Sequence, residues 1–250
     1  MRVFRYLKLA DELAAELVGR PPGSRVPSEH DISGRFGVGR AAARATLQEL
    51  ERRLLVHRVQ GMGTFVNRRI DYRISHDRRP SWHHTVAAAG ARPRSVVRQI
   101  DRRPLPDEPA ALLDLPAGTP GRMLVRQSYI DDRLACWTHE WLPADLVADL
   151  DIAMHAVDSL DEVLRQLAHV EPVRAWCRVS LDVPPNTVLD ELQIESSTPL
   201  WLVESLSRDA TSGQPLMCSS AWMRADAVRV VVELGSTAEH AVHVDHAVPR

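Results

Sequence analysis

The pattern of apolar and polar positions divides the chain into a helical head and a longer body. In residues 6–18, YLKLADELAAELV, the residues Tyr6, Leu9, Ala10, Leu13, Ala14 and Leu17 recur at helical spacing and form one apolar stripe. Gly19, Pro21, Pro22 and Gly23 stop that helix. Ser28 reads as an N-cap, and Asp31 three residues on stands where a capping box has Glu. A short helix is expected from about 29 to 36, buried through Ile32 and Phe36. Gly37-Val38-Gly39 makes a tight turn, since glycine accepts positive φ. Arg40 then opens a third helix, RAAARATLQELERR, with Ala43, Leu47, Leu50 and Leu54 inward. In LVHRVQGMGTFV, Val56, Arg58 and Gln60 alternate with His57 and Val59. Gly61-Met62-Gly63 turns the chain and Thr64-Phe65-Val66 returns, which predicts a β-hairpin.

Residues 67–80, NRRIDYRISHDRRP, are charged and read as a connector without apolar periodicity. The body opens with a short helix, WHHTVAAAG, closed by Gly90. SVVRQI reads as a strand and EPAALLDL as a helix. GRMLVRQSYID and RLACWTHEWLP form a long hairpin around Asp131-Asp132. SLDEVLRQLA is a helix after Asp158, RVSLDV a strand and TVLDELQI a helix. A second long hairpin follows around residues 211–213. Hairpin-linked strands with a few helices indicate an α+β fold with a largely antiparallel sheet. The expected division is a head over 1–70, a linker over 71–80, a body over 81–236 and a flexible tail over 237–250.

Charge sharpens this division. Residues 1–79 hold 16 basic against 9 acidic residues, a net +7, and the remainder carries −9. All six Trp lie in the body. A basic head on an acidic body suggests that only the head meets a polyanion. The 44% hydrophobic and 26% charged composition is that of a globular chain. No run of about 18 apolar residues is present, so no membrane span is expected. The N-terminus has acids where a signal peptide needs an apolar core, and three widely spaced cysteines suggest free thiols; both point to the cytoplasm.

Two helices joined by a short Gly-containing turn are the helix-turn-helix signature, and the following hairpin adds a wing. Arg40 and Arg44 are four apart, so they share one face at the start of the third helix. In the major groove an Arg can make a bidentate contact with guanine O6 and N7. Gln60 and the Gly61 amide at the wing tip can donate to backbone or minor groove. The bland alternative is a solvated Arg face beside a plain hairpin; caps, turn, wing and charge within one short stretch favour DNA binding.

From Tyr6 to Val66, through PGSRVPSEHDI, FGVGRAAAR and QGMGTFV, the head resembles the winged-helix domain of the GntR transcription regulators. The resemblance implies base and phosphate contacts at His30, Gly39, Arg40, Ala41, Arg44, Gln60 and Gly61. The family often has Arg at the position of His30, and Ser or Thr where this chain has Gly39, Ala41 and Ala42.

The body resembles the UTRA effector domain of the HutC branch, a chorismate-lyase-like fold, over about residues 71–234. It does so through WHHTVAAAGARPRS, the LVR strand, THEWLP, SLDEVL and MRADAVRVVVE. Within that branch it looks most like regulators of phosphonate metabolism (the PhnF type). The resemblance implies a pocket for a small, often phosphorylated or otherwise anionic effector. It places an anion-binding Arg at Arg126, and it leaves Ser128 where many sugar-phosphate-responsive members have a second Arg. The start of the 82–89 helix offers backbone N–H groups together with His83 and Thr85. Ser159 can add a hydroxyl, and Glu140 can bind an amine or hydroxyl of the ligand. Each has a structural alternative: Arg126 paired with an acid on a neighbouring strand, Ser159 only an N-cap, Glu140 a surface carboxylate.

No catalytic motif, cofactor motif or metal-binding set is evident; His83-His84 and His240, His243 and His246 are weak metal candidates. The expectation is a DNA-binding transcription regulator, a repressor, acting as a homodimer on duplex operator DNA. The competing classes are a chorismate-lyase-like enzyme fused to a DNA-binding head, and a DNA binder indifferent to small molecules.

Overall fold

The computed structural model describes residues 3–75, 81–194 and 200–233. The expected tail over 237–250, with His240, His243 and His246, and part of the expected linker lie outside these residues.

The head comprises α1 (Val3–Leu17), α2 (Glu29–Phe36), α3 (Arg40–Arg52), β1 (Val56–Val59) and β2 (Gly63–Val66). The capping box of α2 is complete: Ser28 Oγ accepts from the Asp31 amide at 3.2 Å, and Asp31 Oδ2 accepts from the Ser28 amide at 2.9 Å. Gly37 ends α2 at φ 60°, a left-handed conformation that glycine adopts without Cβ strain. Leu9, Leu13, Leu17, Ile32, Leu47 and Leu50 bury one core together with Val56 and Val66 of the hairpin. Leu54 departs from the expected stripe. Helix α3 ends at Arg52, and Leu54 sits beyond it at φ 58°, only partly buried.

The body is built on a six-stranded antiparallel sheet. Its strands are β4 (Pro93–Pro104), β5 (Pro120–Ile130), β6 (Arg133–Pro143), β7 (Pro172–Leu181), β8 (Leu200–Asp209) and β9 (Pro215–Arg224), in the order β4-β5-β6-β9-β8-β7. Helices α4 (Trp82–Ala88), α5 (Asp107–Leu112), α6 (Leu150–Ala156), α7 (Leu160–Leu167) and α8 (Asn186–Leu192) cover it. Alternate residues of one strand point to opposite faces. Leu124 and Leu142 therefore pack with Leu150 of α6 and Leu164 of α7, whereas Met123, Val125 and Trp141 pack with Ala110 of α5.

The connector is corrected. Residues Ile70–Ile74 form β3, which pairs in parallel with β10 (Val228–Val232) from the other end of the chain. Ile70, Tyr72 and Ile74 are buried while Asp71 and Arg73 face outward, so the alternation was present but hidden under charge. Helix α6 also escaped the sequence pattern.

Glu49 at the end of α3 accepts from Arg52 and Arg53, and Arg53 reaches Asp11 on α1. These guanidiniums hold the Glu49 carboxyl down at about 2. A depressed folded pKa contributes stability that is complete above the ordinary glutamate range and is lost as pH falls toward about 2. Glu49→Gln is therefore expected to lower the melting temperature at neutral pH and to narrow its gap from wild type as pH drops through that window. Thermal melts from pH 7 to pH 2 check this.

Candidate functional site

Two sets of residues gather. The first is on the head: His30 on α2, Gly39 before α3, Arg40, Ala41 and Arg44 on α3, and Gln60 and Gly61 at the hairpin tip are all exposed. Gly39 caps α3 without any side-chain hydrogen bond, so the first amides of this helix remain free for an acceptor. The two arginines differ. Arg40 makes no hydrogen bond or ion pair within the described residues, whereas Arg44 Nε lies 3.2 Å from Glu29 Oε1. Arg58 on β1 approaches the same carboxylate at 4.0 Å and Glu51 at 3.3 Å. Glu29 thus links α2, α3 and the wing. Sequence reasoning missed this role because only the fold brings β1 beside α2.

The second set is in the body. Arg126 on β5 and Glu140 on β6 are diagonal neighbours on one sheet face, since Arg126 stands opposite Thr138 and Glu140 opposite Leu124. Arg126 Nε and Nη2 bind the two Glu140 oxygens at 2.9 and 2.5 Å, a bidentate pair with both side chains almost wholly buried. Burial opposes the Arg126 charge, but the Glu140 carboxylate outweighs it and leaves the Arg126 pKa raised. The alternative raised from sequence, pairing with an acid on a neighbouring strand, is realised, and the pair also faces a cavity. His83 of α4, Ser159 before α7 and Asp161 line the same cavity, whose volume is about 30 Å³. That is room for about two waters. His83 Nε2 lies 3.1 Å from Asp158 Oδ1, with angles short of a hydrogen bond. Asp161 is held by Arg165 at 3.2 Å. Ser159 is buried at the N-cap of α7, yet its hydroxyl makes no capping bond.

Two expected residues are placed elsewhere. Thr85 donates to the Ser81 carbonyl at 2.9 Å and lines a different recess. Ser128 is buried against Ser95, Oγ to Oγ at 2.9 Å, away from the cavity lining. The expected free amides at the start of α4 are also partly used, because Ser81 Oγ accepts from the His84 amide. Ser81, Trp82, Leu160, Leu164, Pro172 and Met217 complete the lining and were not anticipated. Among the described residues no group of three or more His, Cys, Asp and Glu could hold a metal ion.

The bacterial gntR regulatory family matches residues 5–66, and the UTRA domain matches residues 88–229, more than half of the chain. The chain therefore belongs to the GntR-type transcriptional regulators with a UTRA domain. It is a transcriptional regulator with a DNA-binding head and an effector-domain body. It is 28% identical to the regulator GgaR of Escherichia coli K12 over 213 residues, 84% of this chain and 82% of that protein. It is 25% identical to the probable transcriptional regulator PhnF of the same organism over 231 residues, 92% and 95% of the two chains. The crystal structure of PhnF from Mycobacterium smegmatis shares the fold, with a TM-score of 0.62, 21% identity and coverage of 91% of this chain and 99% of that one. The relatives bear out the expectation of a regulator over that of an enzyme.

Arg40→Ala is expected to cost about 1–3 kcal/mol of specific DNA binding if the guanidinium reads a base, and to leave the melting temperature unchanged because the side chain is unpaired. Fluorescence anisotropy against operator DNA, alongside a melt, checks both. Arg126→Ala strands a buried carboxylate and is expected to destabilise the fold by about 3–5 kcal/mol, whereas Arg126→Met with Glu140→Leu regains most of that loss. Urea denaturation of the two variants measures it.

Proposed function

We propose that the protein is a cytoplasmic repressor that holds a palindromic operator as a homodimer and leaves it when a small anionic effector enters the body cavity. The observation that carries this reading is the convergence of Arg126, His83 and Ser159, from three separate elements, on one small cavity. A phosphonate or phosphorylated metabolite finds there a guanidinium, an imidazole and a hydroxyl. Taking Arg126 away from Glu140 leaves that carboxylate needing a donor, so an effector that also carries an amine or hydroxyl suits the site best. The sequence resemblance to regulators of phosphonate metabolism supports the same class.

The size of the cavity supplies the coupling. An effector larger than about two waters pushes its walls apart if it is to enter fully. Helix α4 is one wall, through Trp82 and His83. Just beyond its other end, the Gly90 carbonyl accepts from Arg68 Nη1 at 3.3 Å. Arg68 adjoins Asn67, whose amide donates to the carbonyls of Leu54 and Val56 at the foot of the wing. Displacement of α4 thus reaches the head through Arg68. It shifts DNA affinity only because the effector binds the two arrangements unequally. Two heads related by a two-fold axis suit half-sites about ten base pairs apart, or a multiple of that.

An effector from the phosphonate and phosphate-ester classes is expected to weaken operator binding by about 5–150-fold, the usual range of coupling energies. The paired variant Arg126→Met with Glu140→Leu is expected to bind operator normally and to ignore the effector. Anisotropy titrations with and without each compound test this. Operator release that persists in the paired variant places the effector elsewhere, and no release by any compound of these classes counts against the reading.

A further inference from the structure

Helix α4 has a second recess on its other side. Arg68 and Arg69 from the end of the head, Arg73 of β3 and Arg229 of β10 line it, with Thr85 and Ala88 of α4 opposite; its volume is about 630 Å³. That is the size range of small-ligand sites, about 300–1,000 Å³. Three of the four guanidiniums have carboxylate partners: Arg73 with Glu233 at 2.7 Å, Arg229 with Asp71 at 2.8 Å, and Arg68 with Asp131 at 3.6 Å. Arg69 has none among the described residues. Its Nη2 reaches only the Val228 carbonyl, at 3.5 Å, and its Nε is buried without any partner. Burial, followed by the neighbouring Arg229 charge, presses the Arg69 pKa down, a strain that an incoming anion relieves.

We propose that this recess is a second ligand site, distinct from the body cavity, which takes a small phosphate-bearing anion on Arg69 with Arg68 and Arg229 beside it. A planar guanidinium fork with free donors matches the oxygens of a phosphoryl group. No residue of α3 or of the wing lines the recess, so it is set apart from the surface that meets DNA. The site is made from both domains: Pro22, Arg68 and Arg69 come from the head or its exit, and α4 and Arg229 from the body. An occupant therefore ties head to body and favours one arrangement of the two.

Isothermal titration of the full chain with inorganic pyrophosphate, without DNA and at constant ionic strength, tests this. Saturable binding at one site per chain is expected. Arg69→Gln is expected to weaken it roughly tenfold or more, Arg69→Lys less so, and the paired Arg126→Met with Glu140→Leu variant not at all. If Arg69→Gln does not fold, Arg68→Gln is read in its place, with the same loss expected. Three results overturn the proposal: no binding to wild type, binding lost in the paired variant but kept in Arg69→Gln, or operator affinity that falls in Arg69→Gln without pyrophosphate present. The last would make Arg69 a DNA contact.

Discussion

The parallel pairing of β3 with β10 is the constraint on which the rest of the molecule depends. It joins the strand that leaves the wing to the strand that closes the body, in register from Val228 opposite Ile70 to Val232 opposite Ile74. Parallel neighbours need a long crossover, and here the crossover is the whole six-stranded sheet with its helices. Ile70, Tyr72, Ile74 and Val228 are buried by it, at about 1.5–3 kcal/mol for each large apolar side chain. Tyr72 also accepts a hydrogen bond from Arg174 of β7 at 2.9 Å, which fixes the pair against the far edge of the main sheet. The head therefore leaves the wing directly into a packed strand, and Arg68 and Arg69 sit where that strand begins.

Electrostatics differs in kind between the two halves. On the head, ion pairs such as Arg44 with Glu29 and Arg35 with Glu16 are well solvated, and such pairs contribute at most about 1 kcal/mol. They hold side chains loosely enough for a phosphate or base to compete. In the body, the Arg126–Glu140 pair is removed from water, so its two charges depend on each other. That burial makes the pair costly to break.

Helix α4 gives these charges a mechanical setting. It is only seven residues long and is anchored by few groups: Ser81 caps its start, Trp82 Nε1 donates to the Tyr129 carbonyl at 3.2 Å, and Val86 is its one buried apolar side chain. One side meets the cavity of Arg126, and the other meets the recess of Arg69. A short element with a small apolar footprint shifts at less cost than a strand held by a hydrogen-bond ladder on both sides.

The head was legible in the sequence because its signals are local. A capping box at Ser28, a glycine stop at Gly37, an alanine-rich helix after Arg40 and a glycine turn in the wing each act within a few residues, and each took its expected form. The α+β body and its two long hairpins were legible for the same reason. Leu54 was misread because helical periodicity does not reveal where a helix stops. The strand β3 was misread because its buried positions gain their partners about 158 residues away and its exposed ones are charged. The family resemblance singled out Arg126, and side-chain chemistry singled out Glu140, His83 and Ser159, but only strand register and helix packing decided that they line one cavity, that Arg126 is already paired, and that Thr85 and Ser128 lie outside its lining. Local propensity acts between neighbours along the chain. Which charges share a space is decided by pairing between distant segments.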